Sequence, residues 1–309
     1  MSPSSQIWNR WCRFHDSDLF FSFRRSKITV IATIVIGGIL TAALLAPWVA
    51  PHDPFDVATL DLTKAELPPA WVKDGEFKFL LGTDNQGRDI LSAILHGSRI
   101  SLLVGFCSVI LAMSVGVTLG LLSGYFSGLL DATIMRTADI MLSFPAILVA
   151  LLINGLAQVL PREMRESSSI FILVLSIGAT TWVQYARTVR GKTLVERNKE
   201  YVMAARIIGL HPILIMVRHV FPNIVTPVLV IATINFGMAI LTEATLSFLG
   251  VGMPPTQPSL GTLIRIGNEY LFSGIWWVVL FPSITLVLLV LSVNLLGDWL
   301  RDALDPKLR

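Results

Sequence analysis

Residues Ile100–Leu130 read ISLLVGFCSVILAMSVGVTLGLLSGYFSGLL, 31 positions without an Asp, Glu, Lys or Arg. A helix rises about 1.5 Å per residue, so roughly 20 apolar residues cross a hydrocarbon core about 30 Å thick. The run is continuously apolar, whereas a membrane β-barrel strand alternates over about 10 residues. Ile28–Pro51 (24 residues), Ile140–Pro161 (22), Ser167–Ala186 (20), His219–Thr242 (24) and Tyr270–Gly297 (28) are uncharged in the same way. The expectation is an all-α polytopic membrane protein with six transmembrane helices. A seventh uncharged run, Ala244–Ile264, holds Gly250, Gly252, Pro254, Pro255, Pro258 and Gly261. Proline removes helical hydrogen bonds, and bare backbone in lipid is costly. That run therefore reads as an extramembrane or re-entrant loop.

Composition agrees. Apolar side chains make up 53% of the 309 residues and charged ones 15%, against about 45–50% and 25% in soluble domains. Too few charges remain to cover a soluble body. A net charge of +3 offers no basic surface to nucleic acid. Two cysteines, Cys12 and Cys107, make no disulfide scaffold; they fall in different compartments, which leaves ordinary packing or a free thiol.

Basic residues set the orientation. With a cytoplasmic N-terminus, residues 1–27, the turn near 123–130, 187–222 and 298–309 carry five, none, seven and three Lys or Arg, against seven acids in all. Residues 51–99, 157–168 and 251–275, on the opposite side, carry eight against eleven. Both termini are expected in the cytoplasm, with Arg24, Arg25 and Lys27 directly before the first span. That span exceeds the 7–15 apolar residues of a signal peptide and lacks an Ala-x-Ala site, so it reads as an uncleaved anchor. The chain divides into an aromatic, basic cytoplasmic segment (1–27) suited to the bilayer interface and a first transmembrane helix (28–50). An external loop (51–99) too long for a turn follows, then a five-helix core (100–297) and a cytoplasmic tail (298–309).

Catalytic patterns are missing. The five histidines never fall at metal-ligand spacing, and no Gly-x-Ser-x-Gly elbow occurs. Gly191-Lys192-Thr193 ends like a phosphate-binding loop, but Ala186 stands where that motif needs glycine. No catalytic residue, metal or cofactor is expected in this chain.

The basic connection 187–222 is the most informative segment. Helix formers over Tyr201–Ile208 meet a stop signal at Gly209 and Pro212. On a helix Tyr201, Ala204, Ala205 and Ile208 share a face that the alanines make flat. Such a helix suits docking into a partner's groove, or serves as a plain amphipathic connector.

This segment resembles the EAA loop of membrane subunits of ATP-binding-cassette (ABC) importers. Ala204-Ala205, Gly209 and Phe221-Pro222 fit its frame, with Met203 where the motif has glutamate and Phe221 where it has leucine. Four more segments resemble the dipeptide/oligopeptide/nickel permease group: LGTDNQGRD from Leu81, continuing to Gly105, and GYFSGLLD from Gly124, with Met135, Arg136, Asp139 and Pro145. The others are EATLSFLGVG from Glu243, with Pro258–Gly261 and Leu260 in place of tryptophan, and NLLGDWLRDALDP from Asn294. The resemblance spans about residue 25 onward and is to the second, C-type, permease. It is specific for family and not for cargo.

The resemblance implies a type I ABC-importer permease that moves di- or oligopeptides inward across a bacterial plasma membrane. Nickel chelates, glutathione and opines are alternative cargoes. Implied partners are a second homologous permease subunit, an external substrate-binding protein and two ATPase subunits carrying ATP and Mg. Coupling to the ATPases would fall on Tyr201, Ala204, Ala205, Arg206, Gly209 and Pro222, with Lys199 at the rim. A secondary transporter is the more distant alternative; it would show inverted repeats and has no need of a docking loop. Four charges lie inside the spans. Arg136 and Asp139, three apart, are expected to pair locally, and Asp131 to favour a helix start. Glu243 either lines the outer mouth or anchors the re-entrant loop. All four are candidates for the translocation path or for structural pairing.

Overall fold

The computed structural model describes residues 18–52, 54, 61–159 and 161–304; most of the expected N-terminal segment, including Cys12, and the last five residues lie outside them. Among the described residues the only extended pairing is one bridge, Thr83–Asp89. The helices are α1 (Asp18–Arg25), α2 (Lys27–Leu44), α3 (Ala46–Val49), α4 (Ile90–Phe126), α5 (Gly128–Ser143), α6 (Ala146–Ala157) and α7 (Arg162–Ser167). They continue as α8 (Ser169–Glu196), α9 (Glu200–Ile207), α10 (Pro212–Ile215), α11 (Phe221–Phe248), α12 (Leu260–Tyr270) and α13 (Trp277–Leu304).

Among the described residues, five stretches are single helices long and apolar enough to cross a membrane: Lys27–Leu44, Ile90–Phe126, Ser169–Glu196, Pro212–Phe248 and Trp277–Ala303. The third of the six expected spans differs. It is a broken pair, α5 and α6, bent by 91°. The cause is Pro145, whose ring excludes helical backbone from the residue before it; Phe144 is accordingly extended (φ −103°, ψ 139°).

Helices in lipid associate through close packing more than through apolar burial, and α4 and α8 do so through small residues. Gly116, Gly120 and Gly124 bring the α4 backbone onto α8. A Cβ at Gly120 would stand 2.6 Å from the Ala186 carbonyl oxygen, and one at Gly124 2.6 Å from Thr193. Trp182, Tyr185, Ala186 and Val189 fill this seam together with Val202, Ile215, Val220 and Ile224. Helices α2, α4, α12 and α13 share a second core around Ile90, Leu260, Trp277 and Leu289.

The run 244–264 is no span, as expected. Helix α11 continues to Phe248, the chain turns, and α12 packs back against α4, α11 and α13. Gly261 permits that return, since a Cβ there would lie 2.4 Å from the Ala244 carbonyl oxygen. The segment LGTDNQGRD acts as a clamp. Asp89 caps α4 by accepting from Ser92 N (2.8 Å) and Oγ (2.6 Å). Trp277 Nε1 donates to Thr83 O (3.0 Å), and Arg88 donates to Pro255 O (3.0 Å). Asp84 accepts from the Gln86 and Arg88 amides, yet its burial pushes the carboxyl above the usual carboxylate range.

Candidate functional site

Helix α9 is closed at its C-terminus by a left-handed glycine. Gly209 has φ +83°, its N–H donates to Arg206 O (3.0 Å), and Leu210 N–H donates to Ala205 O (3.1 Å). This is the paired 6→1 and 5→2 arrangement that glycine termination provides. Val202 and Ala205 turn into the protein. Ala205 therefore does not share the outer face assigned to it from the sequence. Outward stand Tyr201, Met203, Ala204, Arg206, Ile207 and Ile208, with Ile207 87% and Ile208 75% exposed. Beyond α10, a five-residue π turn, Met216–Val220, precedes Pro222. It absorbs the proline, which has no N–H to donate and would clash with the preceding turn.

Polar links tie α9 to the bundle. The Arg206 guanidinium lies 4.7 Å from the Tyr125 ring centroid, with Nε 3.3 Å from its hydroxyl. Tyr201 donates its phenol proton to Glu196 and accepts from Asn223 Nδ2 (3.1 Å). Partial burial and the Glu196 carboxylate push that phenol up to about 12. Lys199 pairs with Glu196 at 2.6 Å. Arg206 and Lys199 thus both have partners within the chain.

The charges inside the spans meet partners that sequence spacing did not supply. Asp131 lies in the first turn of α5, where the helix dipole favours it. Its carboxylate also takes a bidentate pair from Arg190 of α8, Nε–Oδ1 2.5 Å and Nη2–Oδ2 2.7 Å, and accepts from Ser123. Asp139 pairs with Arg187 at 2.6 Å, not with Arg136. Arg136 and Asp139 are both exposed, but the carboxylate turns to Arg187 of α8, and Arg136 makes no ion pair among the described residues. Arg197 donates to Gly124 O (2.9 Å) and Tyr125 O (3.2 Å), capping the end of α4. Arg187, Arg190 and Arg197 were missed as partners. Their signal was present in the sequence, because steps of three and seven place them close together around one helix.

Glu243 is fully buried. Its oxygens accept from Ser101 Oγ (2.8 Å) and Ser247 Oγ (2.7 Å). Those serines in turn receive Leu260 N (3.3 Å) and Met253 N (3.1 Å), so the carboxyl holds the returning loop in place.

A bundle of membrane-length helices that holds one short, capped, exposed helix by side-chain hydrogen bonds and a cation–π contact fits the importer permease that the sequence resembles. Comparison with known proteins agrees. The family model for the binding-protein-dependent transport system inner membrane component matches residues 116–309, and that for the N-terminal TM domain of oligopeptide transport permease C matches 17–69. The chain belongs to the binding-protein-dependent transport system inner membrane component family, whose members are permease subunits of ABC importers and not enzymes in themselves. It is 39% identical over 308 residues to a di/tripeptide transport system permease of Pseudomonas aeruginosa, covering 100% of this chain and 93% of that one. It is 41% identical over 309 residues to a dipeptide transport system permease of Escherichia coli, covering 100% and 95%. A chain of the MetNI methionine ABC transporter, in an inward-facing conformation, shares the fold at a TM-score of 0.54 and 20% identity, over 69% of this chain and 96% of that one.

Proposed function

We propose that this chain is the C-type permease through which a binding-protein-dependent importer passes di- or oligopeptides inward across a bacterial plasma membrane. Its termini and α9 face the cytoplasm, in keeping with fifteen of its basic residues on that side. A second homologous permease completes the pathway, and an external binding protein delivers cargo. Two ATPase subunits hydrolyse ATP with Mg and grip the permeases through their short helices. The peptide cargo is supported by the names of relatives that match over the full chain. The coupling role rests on one observation: Ile207 and Ile208 stand almost bare on a helix that Tyr201 and Arg206 tie to the ends of α4, α8 and α11. Two large apolar side chains side by side suit an apolar groove on a partner.

The test is Ile207→Glu in the reconstituted importer. Labelled dipeptide uptake is expected to fall at least tenfold while the ATPase subunits alone hydrolyse ATP at their usual rate. Full uptake by this variant would remove α9 as the dock, and uptake that persists with hydrolysis-dead ATPase subunits would remove the ABC reading of this chain.

A further inference from the structure

At the end of the bundle opposite α9, the end of α6, α7, the start of α8 and the turn after α11 enclose a cleft of about 320 Å³. Small-molecule clefts begin at about 300 Å³, so the space is large enough for a ligand of one or two residues. Three arginines, Arg162, Arg165 and Arg265, line it together with one carboxylate, Glu166.

A guanidinium carries five donors, and little of this capacity is used. Arg162 Nε donates to Glu166 (2.7 Å), and Arg165 Nη1 to Gln158 Oε1 (2.9 Å). Arg265 has only a loose contact, 3.9 Å, with Glu269. Its Nε is buried with no hydrogen-bond partner among the described residues, while 30% of the side chain is exposed. Two parts of the wall are held by hydrogen bonds. Asn154, 5% exposed, is held by Ala150 O and Ser176 Oγ. The backbone from Gly250 to Pro255 is fixed through Ser247 to buried Glu243.

We propose that this cleft receives the free carboxylate of a short peptide, with Arg265 as its anchor and Arg165 and Arg162 beside it. Glu166 supplies the opposite sign for the ammonium end of the same zwitterion. The site lies in the permease, distinct from the binding site of an external binding protein, and it deepens the peptide reading on which it rests. Planar guanidinium donors match a carboxylate bidentately, which neither serine hydroxyls nor backbone amides elsewhere on this surface do.

The experiment is equilibrium dialysis of labelled dialanine against the assembled, detergent-solubilised importer without its binding protein. Dialanine is expected to bind saturably, and dialanine amide at least tenfold more weakly. Arg265→Gln and Arg165→Gln should each weaken dialanine binding about tenfold, about 1.4 kcal/mol, with Arg265→Lys restoring part of it. Should Arg265→Gln fail to assemble, Arg165→Gln, on the short surface helix α7, carries the test. No saturable binding at millimolar dialanine, equal binding of the amide, or unchanged binding by the glutamine variants would overturn the proposal. So would variants that lose only their association with the binding protein, since the arginines would then serve that protein. Failure of the peptide reading shows separately, as wild-type proteoliposomes that take up no labelled peptide with binding protein and ATP present.

Discussion

Gly209→Ala isolates the backbone requirement at the end of α9. Gly209 holds φ +83°, and no heavy atom of the described residues lies within 4 Å of the place a Cβ would occupy. The added methyl meets nothing, so its whole cost is conformational, about 1–2 kcal/mol for an L-residue in the left-handed region. The folded chain relieves that cost by opening the cap, giving up the bonds from Gly209 N to Arg206 O and from Leu210 N to Ala205 O. An energy of this size raises the open population roughly 5–30-fold. Hydrogen exchange at the amides of 208–210 reads it directly, with the α8 amides as internal reference, while ATP-driven uptake is followed on the same preparation. Expected are faster exchange confined to that turn and less uptake per ATP hydrolysed. Gly209→Asn should fall between glycine and alanine, because asparagine tolerates this conformation. Gly209→Pro should be worst, since proline cannot reach the angle and has no N–H to donate. The reasoning fails if alanine exchanges like glycine. It fails equally if asparagine is as damaging as alanine, which would mean that the loss comes from contact with a partner's surface.

Three further outcomes follow from the same contacts. Arg190→Gln leaves Asp131, 17% exposed, without its cation. The expected loss is about 1–3 kcal/mol, below the 3–5 of a fully buried pair because a third of Arg190 meets solvent. Thermal unfolding of both single variants and of the double variant with Asp131→Asn should give a coupling above about 0.5 kcal/mol, and strictly additive losses would deny the pair. Glu243→Leu should lower stability by about 1–3 kcal/mol for each serine hydroxyl left unmatched, whereas Glu243→Gln keeps most of it; equal unfolding midpoints for the two would rule out the anchor. Tyr201 keeps its proton up to about 12 when folded, against an ordinary 10.0. The folded state thus binds more protons in between, so stability falls as pH climbs from about 10 to about 12 and is unaffected below. Tyr201→Phe should delete a phenolate absorbance step near 12, and persistence of that step would contradict the assignment.

The spans were readable because lipid enforces one rule along the whole chain: continuous apolar character over a membrane's thickness. Pro145 breaks the third span by a local rule instead, because a proline bars helical backbone at the residue before it whatever the apolar character around it. The stop at Gly209 was also readable, because glycine termination is a property of neighbouring residues. The inward turn of Ala205 was not. Ala204 and Ala205 are chemically alike and adjacent, and which of them faces the protein depends on where α9 lies against Tyr125, Ile215 and Val220. Pairing within the spans was misjudged for a related reason. Sequence spacing favours Arg136 for Asp139, but Arg187 reaches Asp139 from a helix 48 residues on. Once α4 and α8 are sealed together at their glycines, the arginines of α8 are carried to the first and last turns of α5.

Burial alone does not keep α9 in place. Helices shorter than about 12–15 residues are marginal by themselves, and only Val202 and Ala205 of its eight residues are buried. Burying one valine contributes about 1.5–3 kcal/mol, and an alanine contributes less. The remaining hold comes from links that leave α9 in different directions: Arg206 to Tyr125 at the end of α4, Tyr201 to Glu196 at the end of α8, and Tyr201 to Asn223 at the start of α11. Arg197 fastens the first two of these helices together, and Arg190 and Arg187 fasten α8 to α5. A force applied to α9 therefore reaches the ends of three membrane-length helices at once. The proposed coupling would use these three links to pass a displacement of α9 to the near ends of α4, α8 and α11.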